Sequence, residues 1–161
     1  MSHTISLLVT NKSGMLVRIA NLFSRRGYNI ESLVVSPALD GRFSRMTITA
    51  AGDPQTLEQI IKQVSKLVDV LHCEEHDPSH TVEKELALIK VQVDNDSRSD
   101  VLQVIQHFEA KVTDFSDKAL ICELTDTTDK VDSLLNMLKR FGMIEMVRTG
   151  KVLMARGAER T

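Results

Sequence analysis

Strand-like and helix-like stretches alternate along this chain in one order, and the same order then recurs. Ile5-Ser6-Leu7-Leu8-Val9-Thr10 places Ile5, Leu7 and Val9 on one face, as a half-buried strand requires. After the turn Asn11-Lys12-Ser13-Gly14, the apolar residues Leu16, Ile19, Ala20 and Phe23 recur at helical spacing, and Arg25-Arg26-Gly27 reads as a basic last turn with a glycine stop. Tyr28 to Pro37 is extended, Asp40-Gly41 signals a turn, and Phe43 to Ala51 forms the second arm of a hairpin. Asp53-Pro54 opens a second helix, aspartate as N-cap and proline at the first helical position. Leu57, Ile60, Ile61, Val64 and Leu67 make its apolar stripe, and Val70 to Glu74 closes the unit as a strand. The order is βαββαβ.

The second copy begins with Leu86 to Val93, where Ala87, Ile89, Val91 and Val93 share a face. Ser97-Arg98-Ser99-Asp100 reads as a loose capping box before a helix with Val101, Val104, Ile105 and Phe108. A hairpin follows around Asp117-Lys118. The fourth helix carries Val131, Leu134, Leu135, Leu138 and Phe141 and stops at Gly142. Met143 to Val147 closes the unit, and Val152-Leu153-Met154 is a candidate extra strand. The polar, proline-broken run His76-Asp77-Pro78-Ser79-His80 separates the copies. We therefore expect domains at residues 1–76 and 83–161 with a linker at 77–82, each α+β with two helices on one face of an antiparallel sheet. Units of about 75 residues have marginal cores, so each is expected to pair with another surface.

Charge and composition exclude several roles. Before residue 80 there are 8 basic and 8 acidic residues, and 12 and 14 after it, so neither half carries the electropositive footprint of a nucleic-acid or membrane-surface binder. No apolar run approaches the roughly 18–20 residues of a membrane span. The start Met1-Ser2-His3-Thr4-Ile5 has no leader pattern, which predicts a cytoplasmic chain. The βαββαβ order also suits RNA-binding modules, but these stack bases on aromatic residues of the central strands. Here the first strand has none and Met46-Thr47-Ile48-Thr49-Ala50 is aliphatic and small.

Catalytic motifs are also missing: there is no G-x-S-x-G, H-E-x-x-H, C-x-x-C or phosphate-binding glycine loop. Cys73 and Cys122 fall in parallel places of the repeat and read as buried, inert thiols. His72-Cys73-Glu74-Glu75-His76-Asp77-Pro78-Ser79-His80 concentrates metal-ligand types without the spacing of a closed site, so it reads as a solvated linker and no metal is assigned. The remaining feature is the turn Asn11-Lys12-Ser13-Gly14-Met15-Leu16. A helix start offers unpaired N–H groups and a positive dipole end to a carboxylate, and Gly14 lets a ligand approach the backbone. Asn11 and Asn29 add donors and acceptors suited to an α-amino acid. Ordinary turn chemistry explains the same residues, so both readings stand on physics alone.

The run Asn11-Lys12-Ser13-Gly14-Met15-Leu16-Val17-Arg18-Ile19, continued by Leu22-Phe23-Ser24-Arg25-Arg26-Gly27-Tyr28-Asn29-Ile30-Glu31-Ser32-Leu33, resembles the ACT domain of acetolactate synthase (acetohydroxyacid synthase) small regulatory subunits. Ser44-Arg45-Met46-Thr47-Ile48 and Glu85-Leu86-Ala87-Leu88-Ile89-Lys90-Val91 resemble the same family in the same order, and Arg148-Thr149-Gly150 still fits. The resemblance implies two ferredoxin-like units, the first an ACT domain. It implies a chain without catalysis of its own that activates a catalytic large subunit and confers feedback inhibition by valine in branched-chain amino-acid biosynthesis. It further implies a homodimer of side-by-side ACT domains with valine between them, held by Asn11, Gly14, Met15 and Leu16 of one chain and by Asn29 and Ile30 of the other. No cofactor is expected here; thiamine diphosphate, Mg and FAD are expected in the catalytic partner.

The second unit departs from this pattern. Val93-Asp94-Asn95-Asp96-Ser97-Arg98-Ser99 has no glycine at the helix start, and Asp94, Asp96 and Asp100 oppose a carboxylate. No amino-acid site is expected there, and dimerisation or contact with the catalytic subunit is the expected use. The competing reading is a stand-alone ACT-type amino-acid sensor with a different partner.

Overall fold

The computed structural model describes residues 2–161, which divide into two compact units: the residues up to Glu83 together with Gly150–Thr161, and Lys84–Thr149. The first unit runs β1 (Ser2–Thr10), α1 (Met15–Arg25), β2 (Asn29–Pro37), β3 (Phe43–Ala51), α2 (Pro54–Val64) and β4 (Val70–Glu75). Its antiparallel sheet has the order β2-β3-β1-β4. The alternation read from the sequence sets its core: Ile5, Leu7 and Val9 of β1 and Met46, Ile48 and Ala50 of β3 pack against Ile19 and Phe23 of α1 and Leu57, Ile60 and Val64 of α2.

Helix α1 stops at the glycine read as its terminator. Gly27 takes φ +68°, and the N–H groups of Gly27 and Tyr28 donate to the carbonyls of Ser24 and Phe23, both at 3.0 Å. Tyr28 then packs edge-on to Phe23, ring centroids 6.4 Å apart, and its hydroxyl donates to the Asp53 carbonyl. Asp53 caps α2 through its carboxylate, which accepts from the Thr56 N–H at 2.8 Å. Gly52 lies under the tyrosine ring, where a Cβ would stand 2.3 Å from Cε2 and Cζ. Gly52→Ala must therefore push the ring off this joint. We expect a loss of about 1–3 kcal/mol, the usual result of overpacking, read as a lower urea midpoint. An unchanged midpoint would mean the ring has room to move.

The face of this sheet opposite the helices is not a solvated one, since Thr4, Ser6, Thr47 and Thr49 are buried. The last residues of the chain reach it at two places. A Cβ on Gly150 would stand 2.5 Å from the Ser32 Cβ, and Arg45 Nη1 donates to the Thr161 backbone oxygen at 2.5 Å. Residues 150–161 thus group with the first unit rather than with 84–149, which differs from the division at 83–161 read from the sequence. Local patterning finds the extra strand but carries no information about which unit it joins.

The second unit contains β5 (Thr81–Gln92), which starts before the boundary, then α3 (Arg98–His107), β6 (Lys111–Phe115), β7 (Ala119–Asp126), α4 (Thr128–Leu138) and β8 (Met143–Arg148). The sheet order β6-β7-β5-β8 repeats the first, and β9 (Val152–Ala155) also pairs with β5. Ala87, Ile89 and Val91 of β5 and Leu120, Cys122 and Leu124 of β7 meet the buried stripes of α3 and α4. Beneath α4, Arg148 bonds both Asp132, at 2.7 Å, and Glu85, whose side chain is almost wholly buried.

Three local expectations are revised. The capping box at residues 97–100 does not form: the Ser97 side chain makes no cap bond to α3, and Asp94 instead gathers the preceding turn. The linker is shorter than residues 77–82, because Pro78–His80 forms a 3-10 turn whose Ser79 N–H donates to Asp77, and β5 begins at Thr81. The fourth helix ends at Leu138, with Lys139–Phe141 as a 3-10 turn before Gly142.

Candidate functional site

The first-unit turn is shaped by the way β1 hands the chain to α1. The Thr10 N–H donates to the Asp69 carbonyl and the Asn11 N–H to the Arg42 carbonyl, both at 2.8 Å, so the strand is held to its last residue. The chain then reverses to Gly14, at φ +84° and ψ −10°, whose carbonyl accepts from Arg18 at 3.0 Å to start the helix. This is the left-handed region that glycine enters without penalty. Nothing lies within 4 Å of where a Gly14 Cβ would be. Helix α1 has no side-chain cap and no acidic residue in its first turn. The Met15 N–H donates to the Lys12 carbonyl at 3.5 Å, and the rest of the first turn, with the positive dipole end, faces an open approach.

The expected ligand residues divide into two groups. Asn11 and Gly14 are exposed at this turn, and Leu16 is 42% exposed beside them. Met15 is buried in the core, so it offers the turn its backbone and not its side chain. Asn29 and Ile30 open β2, where Asn29 stands opposite Ala51, which in turn stands opposite Ser2. Asn11 follows Thr10 at the other end of β1. Eight residue steps at about 3.3 Å put the two groups about 26 Å apart within one chain.

Two residues at the turn were not singled out from the sequence. Asp69 accepts from the Thr10 hydroxyl at 2.9 Å and from Lys12 Nζ at 3.2 Å, and Arg18 lies 3.6 Å away. These partners, the Thr10 hydroxyl first, hold its carboxyl below the usual range. A lone aspartate between Leu67-Val68 and Val70-Leu71 was the available signal. Gly41 is the other, because its carbonyl accepts from Asn11 Nδ2 at 3.1 Å.

The matching turn of the second unit is filled by the chain itself. Asp94 Oδ1 accepts from the Ser97 N–H at 2.7 Å, the Ser97 hydroxyl at 2.8 Å and the Asp96 N–H at 3.0 Å. Those bonds, led by the Ser97 backbone, hold its carboxyl below the ordinary value. The second unit thus supplies its own carboxylate before a helix, whereas the first leaves that position open.

The histidine-rich run has ordinary partners: His72 meets Glu74 at 3.0 Å and His76 meets Ser6 at 2.6 Å. Among the described residues no group of three His, Cys, Asp or Glu side chains converges as a metal site. Cys122 is buried as read from the sequence, whereas Cys73 is only half-buried, and desolvation pushes both thiols up to about 11. At pH 8 neither thiol is expected to react with a chromogenic disulfide reagent until the protein is unfolded. Rapid reaction of the native protein would contradict this.

Two family models cover most of the chain: one described as an "AHAS small subunit-like ACT domain" matches residues 5–72, and one described as "Small subunit of acetolactate synthase" matches 84–157. The acetolactate synthase small subunit of Mycobacterium bovis is 46% identical over 156 residues, covering 97% of this chain and 93% of the relative. A probable acetolactate synthase small subunit of Methanothermobacter thermautotrophicus is 42% identical over 158 residues, covering 98% and 94%. The crystal structure of the Thermotoga maritima acetolactate synthase small subunit superposes with a TM-score of 0.88 at 39% identity, covering 99% of both chains.

Proposed function

We propose, since this chain belongs to the family of acetolactate synthase small subunits, that it activates a cytoplasmic catalytic subunit and withdraws that activation when valine binds between two copies of its first unit. The family implies the catalytic large subunit as partner, which is where thiamine diphosphate, Mg and FAD belong. The observation that carries the effector reading is the open, uncapped Gly14 turn, set against the self-filled Asp94 turn of the second unit.

The sheet order supports the two-chain arrangement. Among the described residues, strand β2 is an edge of its sheet, paired with β3 on one side. Two copies related by a two-fold axis can join through antiparallel β2 strands into one continuous sheet. Antiparallel pairing reverses the strand, so the partner's Asn29 comes to the end that carries Gly14, a meeting that 26 Å forbids within one chain. Valine then places its carboxylate on the first amides of α1 and its ammonium on the side-chain oxygens of Asn11 and the partner's Asn29. Its isopropyl group lies against Leu16 and the partner's Ile30.

Regulation follows if the liganded dimer fits the active catalytic subunit less well than the free one. A ligand moves such an equilibrium only by its differential affinity for the two states, and coupling of about 1–3 kcal/mol corresponds to about 5–150-fold. The test is acetolactate formation by the cognate catalytic subunit, with and without this chain, across a valine titration. A rate raised by the chain and lowered by valine is expected. A rate unchanged in both arms would overturn the reading in favour of an independent amino-acid sensor.

A further inference from the structure

The open edge of β2 is unguarded over one short stretch. Glu31 is a bulge, an extra residue between Ile30, opposite Ala50, and Ser32, opposite Thr49. Pro37 has no N–H to give. Between these two, Ser32-Leu33-Val34-Val35-Ser36 carries no charge, and Val35 is 41% exposed. Sheet edges that stay unpaired are ordinarily guarded by charges, prolines or bulges. The other edge of this sheet, β4, is guarded along its length by the exposed His72, Glu74 and Glu75. Strand β2 keeps its guards only at the two ends.

The hairpin decides which backbone groups face outward. The Ala38 N–H donates to the Phe43 carbonyl at 2.9 Å, and the same register continues with Ser36 opposite Arg45, Val34 opposite Thr47 and Ser32 opposite Thr49. In an antiparallel ladder, one residue turns both backbone groups toward its neighbour and the next turns both away. Leu33 and Val35 therefore present N–H and C=O to the open side.

We propose that β2 pairs with β2 of a second copy about a two-fold axis at Val34, so that Leu33 of each chain bonds Val35 of the other. This rests on the two-chain reading above and fixes its register. That centre keeps both the bulge and the proline outside the paired stretch. An axis at Leu33 sets Val35 against the partner's bulge, and an axis at Val35 leaves the Leu33 carbonyl facing a proline nitrogen without hydrogen. The same register completes the effector site. Ile30 stands one row beyond Ser32, so the partner's Asn29 falls opposite Ala38. Ala38 shares its row with Phe43, and Phe43 with Thr10, the residue before Asn11. Moving the axis to Leu33 leaves the partner's Asn29 two rows short, about 7 Å, and moving it to Val35 carries that residue into the hairpin turn at Asp40.

The test is cysteine cross-linking of the full chain, using Leu33→Cys, Val34→Cys and Val35→Cys, with the parent, which keeps Cys73 and Cys122, as the control. Residues directly opposite in a non-hydrogen-bonded pair have Cα atoms about 4.5 Å apart, within disulfide reach, whereas diagonal neighbours at about 7–8 Å lie beyond it. Under mild oxidation Val34→Cys is expected to run as a covalent dimer, and Leu33→Cys and Val35→Cys each as a monomer. Co-incubated, those last two should link to each other. A link formed by Leu33→Cys or Val35→Cys alone would overturn the register, and so would the lack of a link in every variant. Valine binding to the linked Val34→Cys dimer, measured by calorimetry, should match the parent. If Val34→Cys linked while neither it nor the parent bound valine, the effector reading would fall and the register would stand.

Discussion

Gly14→Asp is expected to remove valine inhibition of the assembled enzyme while leaving activation in place. The substitution separates folding from binding with unusual clarity. A non-glycine residue at φ +84° costs about 1–2 kcal/mol, but no atom lies within 4 Å of the new Cβ. An acidic group at the start of a helix that lacks one returns part of that cost through the dipole. The bound amino acid meets a different situation, because its carboxylate must now share the turn with another. Two like charges about 4 Å apart repel by about 4 kcal/mol at the effective dielectric of a protein surface, enough to weaken binding more than a hundredfold. The measurement is the valine titration of acetolactate formation with the variant, beside its urea midpoint. Full valine sensitivity in a folded variant would move the effector site away from Gly14.

The second large effect is structural. Arg148→Met is expected to lower the stability of the second unit by about 3–5 kcal/mol, because it leaves the Glu85 carboxylate buried without its cation. Against the roughly 5–15 kcal/mol that holds a typical domain folded, this is severe. The loss belongs to the stranded charge and not to the missing methylenes. Adding Glu85→Leu to Arg148→Met should therefore recover much of it, as replacing both partners of a buried pair commonly does. Urea unfolding of the parent, single and double variants gives the answer. A single variant as stable as the parent would show that the Glu85 carboxylate finds water or another donor.

Much of this architecture was legible in the residues. Period-two alternation in Ile5-Leu7-Val9 and Ala87-Ile89-Val91 fixed the strands and the faces they bury, and Asp53-Pro54 and Gly27 fixed helix ends through side-chain capping and positive φ. The Gly14 turn was visible for the same reason. What could not be read is non-local. Asn11 bonding to Gly41, Asp69 gathering Thr10 and Lys12, and Arg148 reaching Glu85 each join residues about 30 to 63 positions apart. The capping reading failed at α3 because three acidic residues and two serines compete there, and composition alone does not decide which oxygen takes the free amides.

The return of residues 150–161 to the first unit has a consequence in time. Arg45 and Thr161 are separated by 116 positions, and the 66 residues of the second unit are made between Glu83 and Gly150. At about 5–20 residues per second, translation of that insert occupies about 3–13 s. Throughout that interval Ser32 and Arg45 stand without the segment that will meet them, while residues 84–149 form one uninterrupted stretch that lacks only the pairing of β9 to β5 when Gly150 is added. The unit that leaves the ribosome first is therefore the last to be finished.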